Sequence, residues 1–86
     1  MTVRLMMPTD AVLRDYRDGD ELGWYTEFEN LHRYHKARLD EIAMSACTEG
    51  IRVPILLGND GRVWDGHHRL CVADGMGIEY VPVQFA

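Results

Sequence analysis

Apolar positions along the chain repeat with two periods, one helical and one extended. Leu39, Ile42, Ala43, Ala46 and Cys47 form an i, i+3, i+4, i+7, i+8 stripe, one face of an α-helix over about 36–48. Gly50 lies just past its end as a C-cap glycine. Trp24, Phe28 and Leu31 repeat the helical spacing and predict a second helix over about 24–34. Val3 and Leu5 instead alternate with polar neighbours, which predicts a short strand over 2–7 ended by Met7-Pro8. Thr9 or Asp10 then stands where a side chain caps a turn of helix through Ala11, Val12 and Leu13. Asp18-Gly19-Asp20 reads as a loop.

In the second half the runs are shorter. Ile55-Leu56-Leu57-Gly58 is apolar enough for a central strand, with Pro54 at its start where a missing N–H is tolerated. Asp60-Gly61 is a two-residue hairpin signal leading to a strand over 62–65 that carries Val63 and Trp64. The chain turns at Gly66 into a helix over about 67–76 through Leu70, Cys71, Val72 and Ala73, stopped by Gly75-Met76-Gly77. The last strand covers 80–85, where Pro82 favours an edge or strand-end position. There is no repeat, linker or low-complexity segment. The expected architecture is one α+β domain over residues 1–86, about four strands with helices packed mainly on one face.

Composition narrows the class. A hydrophobic share of 47% suits a folded globular chain. No apolar run approaches the ~18 residues of a membrane span, and the start lacks an apolar signal core, so a soluble, unexported, cytoplasmic protein is expected. Cys47 and Cys71 both fall on apolar helix faces and read as small core residues in a reducing compartment. The net charge of −5 argues against a sequence-specific grip on duplex DNA phosphates, yet allows a locally positive pocket or a basic protein partner.

The chemistry concentrates at Asp65-Gly66-His67-His68-Arg69. A strand that turns through glycine into a helix leaves the first helical N–H groups unpaired at the positive end of the macrodipole. Two histidines and an arginine follow at once, so the turn has the makings of a phosphate or carboxylate pocket. Other roles remain open at this level. Asp65 caps the helix, or orients His68 or a metal-bound water. Arg69 reaches a phosphate, or ties Asp65 or Asp74 to the fold. Adjacent His67 and His68 point about 100° apart and do not share a metal. His32 and His35 share a helix face without a carboxylate at metal spacing, so no metal site is assigned. Trp64 is a core residue or a surface for a nucleobase, and Trp24, Tyr25 and Phe28 are core cover or a stacking surface.

The succession of Leu39-Asp40-Glu41-Ile42-Ala43, Glu49-Gly50-Ile51, Pro54-Ile55, Asp60-Gly61, Asp65-Gly66-His67-His68-Arg69-Leu70, Ala73, Gly77 and Val81-Pro82-Val83 resembles the amino-terminal domain of ParB-type partition proteins. That domain is often labelled ParB-like nuclease and shares its fold with sulfiredoxin. The resemblance runs from Leu39 to Phe85, extends weakly to residues 3–7, and leaves 18–35 unaligned as an insertion. It implies that the Gly-x-x-Arg turn holds the phosphates of a nucleotide, CTP in partition proteins or ATP in sulfiredoxin, with or without magnesium. Gly66 would let the backbone approach, the amides of His67 and His68 would donate, and Arg69 would pair with the phosphate. Sulfiredoxin carries its catalytic cysteine directly before a His-Arg pair; here His67 stands there and Cys71 lies further along the helix, so that chemistry is not implied. Partition proteins continue into a helix-turn-helix domain and a dimerisation domain, and neither is expected in this chain.

Three functions follow as expectations: a module that binds a nucleotide or nucleic-acid phosphate, a small nuclease or phosphotransferase, or an acidic phage- or plasmid-encoded interaction module. The enzyme would use His68 or His67 as general base or acid and Asp65 as metal-binding carboxylate. The carboxyl-terminal strand, if at an edge, offers a route to self-association.

Overall fold

Residues 5–86 are described by a computed structural model, in the order β1 (Leu5–Pro8), α1 (Thr9–Asp15), α2 (Trp24–Tyr34), α3 (Lys36–Glu49), β2 (Ile55–Leu57), β3 (Val63–Asp65), α4 (His67–Met76) and β4 (Tyr80–Phe85). Thr2, Val3 and Arg4 of the expected first strand lie outside the described residues. The strands form one mixed sheet in the order β1-β4-β2-β3. β4 runs antiparallel to β1, with Leu5 opposite Val83, and parallel to β2, with Ile55 opposite Val83. β2 and β3 form an antiparallel hairpin. The α+β architecture is therefore the expected one.

α4 is the axis of the core. Leu70, Cys71, Val72 and Ala73 are four consecutive buried residues, and a helix buried all round must lie between layers rather than on a surface. It packs on β2 and is overlaid by α1, α2 and α3. Ile55, Leu57, Val63, Val81 and Val83 supply the sheet side of the core, and Val12, Leu31, Leu39 and Ala46 the helical side. No helix among the described residues is long and apolar enough to cross a membrane.

Several local expectations are corrected. β4 is an interior strand, so Pro82 lies within the sheet and the carboxyl-terminal strand offers no free edge. The proline is tolerated because pairing with β2 begins one residue later, at Val83. The hairpin loop has three residues rather than two. Gly58 N–H donates to Arg62 O (2.8 Å), Asn59 and Asp60 make the turn, and Gly61 takes a left-handed φ of 81°. Arg62 then bridges Arg17 instead of joining β3. That bridge covers the outer edge of β3, with Arg17 N–H donating to Gly61 O (2.9 Å) and Val63 N–H to Arg17 O (2.8 Å).

Among the described residues no side chain caps α1; the Thr9 hydroxyl donates instead to Ile78 O (2.7 Å) and staples α1 to the approach to β4. Cys47 is exposed, since eight residues beyond Leu39 it has rotated about 80° from the centre of the stripe. Cys71 is buried as expected. Burial, helped by Asp74 and Glu27, pushes its thiol up to about 11, so it stays protonated. Trp64 is half exposed rather than a core residue.

The turn from β3 into α4 depends on Gly66. Its φ is 115°, and a Cβ there would sit 2.8 Å from Ile55 Cδ1. Gly66→Ala combines an unfavourable backbone region with a collision against a fully buried side chain. It should lower unfolding free energy by about 2–4 kcal/mol in urea titration; a loss below about 0.5 kcal/mol, the range of ordinary surface changes, would contradict this account of the turn.

Candidate functional site

A β-bulge prepares the site. Val63 lies opposite Leu57 and Asp65 opposite Leu56, so Trp64 is the extra residue. A bulge breaks side-chain alternation and re-aims what it carries. Trp64 and Asp65 are accordingly both exposed while Val63 is buried. Gly66 follows, and the first helical bond of α4 runs from Leu70 N–H to Gly66 O (2.9 Å). The amides of His67, His68 and Arg69 precede that bond and have no acceptor within the helix. Among the described residues no side chain caps α4.

Asp65 therefore does not take the capping role open to it. Its Oδ2 accepts from Arg69 Nη2 at 3.3 Å, an i, i+4 pair in which the arginine side chain is 15% exposed and the aspartate 75%. Arg69 is thus positioned from one side by a solvated carboxylate, and among the described residues Asp65 pairs with neither histidine.

The two histidines diverge. His67 turns toward α2 and the 16–23 loop. Its Nδ1 is 3.0 Å from Glu27 Oε2, and its Nε2 accepts from Gly19 N–H at 3.2 Å. Nε2 also lies 3.1 Å from Val63 O, so which ring nitrogen donates depends on the tautomer. Trp24 packs edge-on against the ring at 5.5 Å. Trp24 and Phe28 also pack on the core, so these aromatics serve as cover. His68 turns the other way, against His35 at a centroid distance of 5.1 Å. Its Nε2 is buried and has no hydrogen-bond partner among the described residues. Burial holds its pKa below the usual 6.5, reinforced by His35, Arg38, His67 and Arg69. His32 goes elsewhere, with Nε2 3.5 Å from Cys71 Sγ. Among the described residues no group of three His, Cys, Asp or Glu side chains gathers at metal-binding distance.

Beside the α4 terminus lies a cleft of about 570 Å³, within the usual range for small-molecule sites. One wall is the turn carrying Trp64, Asp65, Gly66 and Arg69; the others are α3, through Arg38, Glu41 and Ser45, and the segment after Gly50, through Arg52. Arg38 pairs with Glu41 and Arg52 with Glu49, each at 3.3 Å and exposed. Three arginines thus line the cleft, each beside a carboxylate: Glu41, Glu49 or Asp65. Sequence reasoning missed Arg38 and Arg52, which stand on separate segments, and it missed Glu27 and Gly19 as partners of His67.

No protein-family model and no curated protein matches this chain. Among solved structures it is similar to one described as the C2221 form of a Pnob8-like ParB-N domain, with a TM-score of 0.63 and 15% identity, over 99% of this chain and 31% of that one. The chain has the ParB-N fold. It spans about a third of that chain's length, and at this identity the likeness is one of fold. Within the ParB-N fold, the Gly66 turn, the uncapped α4 terminus and the arginine-lined cleft are features of this chain's own geometry.

The depressed pKa of His68 gives a stability signature. The folded state disfavours the imidazolium, so this contribution is fully present above the unfolded value near 6.5 and is lost as pH falls through the lower folded value. Wild type should lose unfolding free energy between pH 7.5 and 5.5 more steeply than His68→Gln; parallel pH profiles would contradict the burial argument.

Proposed function

We propose that this ParB-N-fold domain binds a phosphate-bearing ligand, a nucleotide or a nucleic-acid phosphate, at the turn of residues 66–69. The observation that carries the reading is the uncapped amino terminus of α4, opening beside Arg69 on a cleft that Arg38 and Arg52 also line. The amides of His67 and His68 donate to phosphate oxygens, and Gly66, lacking a Cβ, lets the ligand approach the backbone. The planar guanidinium of Arg69 suits bidentate pairing. Its present partner Asp65 is exposed and yields to a doubly charged phosphate at little cost. Magnesium, which binds phosphates together with one or two carboxylates, would find Asp65 and Glu41 on the cleft lining.

Binding is favoured over hydrolysis by the state of the candidate bases. Both ring nitrogens of His67 are engaged with Glu27 and Gly19, Nε2 of His68 is buried, and Asp65 pairs with Arg69. A general base must reach the proton it removes.

Thermal unfolding with phosphate, tripolyphosphate, ATP and CTP, each with and without magnesium, tests the reading. A ligand at a hundredfold excess over Kd stabilises by about 2.7 kcal/mol, on the order of 10 °C for a domain of this size. The shift should vanish in Arg69→Ala and persist in part in Arg69→Lys, which keeps the charge and loses the fork. No shift in wild type with any of these ligands would contradict it.

A further inference from the structure

We infer that Trp64 is a stacking platform that makes the cleft selective for phosphates carrying a flat base, an inference that rests on the phosphate-binding reading above. An exposed tryptophan ordinarily costs apolar hydration, yet this one is placed and fixed. It is the bulged residue of β3, which turns it out of the core at the rim of the cleft. Its Nε1–H donates to Asp60 Oδ1 (3.0 Å), and Asp60 is itself held by Arg62 at 2.7 Å. One side of the indole lies directly on Gly58, where a Cβ would overlap Nε1, Cε2 and Cδ1. The hairpin thus supplies a backing, a hydrogen bond and an ion pair behind the ring, and the side chain is still 50% exposed. A ring locked in this way forfeits little conformational entropy on stacking, which is the condition under which an aromatic contributes most to binding. Only two residues separate it from His67, whose amide begins the phosphate site, so a phosphate on the α4 terminus and a base on Trp64 belong to one ligand.

The test is calorimetric titration of tripolyphosphate and of the four ribonucleoside triphosphates into wild type, Trp64→Leu and Gly58→Ala. Stacking on an aromatic strengthens binding by roughly 5- to 150-fold. At least one nucleoside triphosphate should therefore bind wild type more tightly than tripolyphosphate by that factor. Trp64→Leu should erase the preference and leave tripolyphosphate binding in place, since the amides and Arg69 that hold the phosphate are unchanged. Gly58→Ala, with the indole kept but displaced, should weaken nucleotides alone and acts as the control should Trp64→Leu unfold. Equal affinity of wild type for tripolyphosphate and all four nucleotides overturns the platform and leaves the phosphate site standing. A base preference that survives both substitutions also overturns it. Absence of binding by every probe overturns both readings.

Discussion

The structure depends on one glycine in a left-handed conformation. Gly66 has a φ of 115° and rests on Ile55 so closely that no side chain fits between them. That contact fixes where β3 ends, where α4 begins and how far the helix terminus stands from the sheet. Because α4 is buried along Leu70, Cys71, Val72 and Ala73, every other helix takes its position from it. The same turn splits the three residues that follow: His67 faces α2, His68 faces the α2–α3 junction, and Arg69 faces the cleft. Structural and chemical tasks are thereby divided among adjacent residues.

A buried polar network makes the segment between α1 and α3 part of this arrangement. Asp18 is 1% exposed, and its carboxylate accepts from the amides of Leu22 and Gly23, each at 2.9 Å. Trp24 Nε1–H donates to Tyr16 O at 2.8 Å, and Gly19 and Glu27 hold the two ring nitrogens of His67. Satisfied networks of this kind specify one packing, because any slip leaves a buried donor or acceptor unpaired. The histidine that stands first in the helix therefore ties the loop and α2 to α4. Removing it would cost order at the cleft before it cost any chemistry.

The helices and the Gly66 turn were legible because their signals are local. The stripe through Leu39 and Ala46, the spacing of Trp24, Phe28 and Leu31, and the terminal glycines all act within a few residues. The resemblance to ParB amino-terminal domains rested on the same local succession, and the fold agrees with it. What stayed hidden depends on partners distant in sequence. Pro82 looked like an edge residue because only the sheet order reveals that β1 and β2 flank β4. Whether Trp64 is core or surface stayed open because the bulge that carries it exists only in the register with β2. Glu27 and His67 are 40 positions apart, and Arg38 and Arg52 join Arg69 only once α3 folds over α4. Charged residues scattered in this way carry no pattern of their own.

The most direct test of the central claim, that the Gly66 turn presents free helix amides to phosphate, is backbone amide NMR during a titration with tripolyphosphate. The largest and saturable shifts are expected at the amides of His67, His68 and Arg69, with smaller ones along the cleft at Arg38 and Arg52. Saturation with those three amides unmoved, or shifts confined to surfaces away from the cleft, would contradict it.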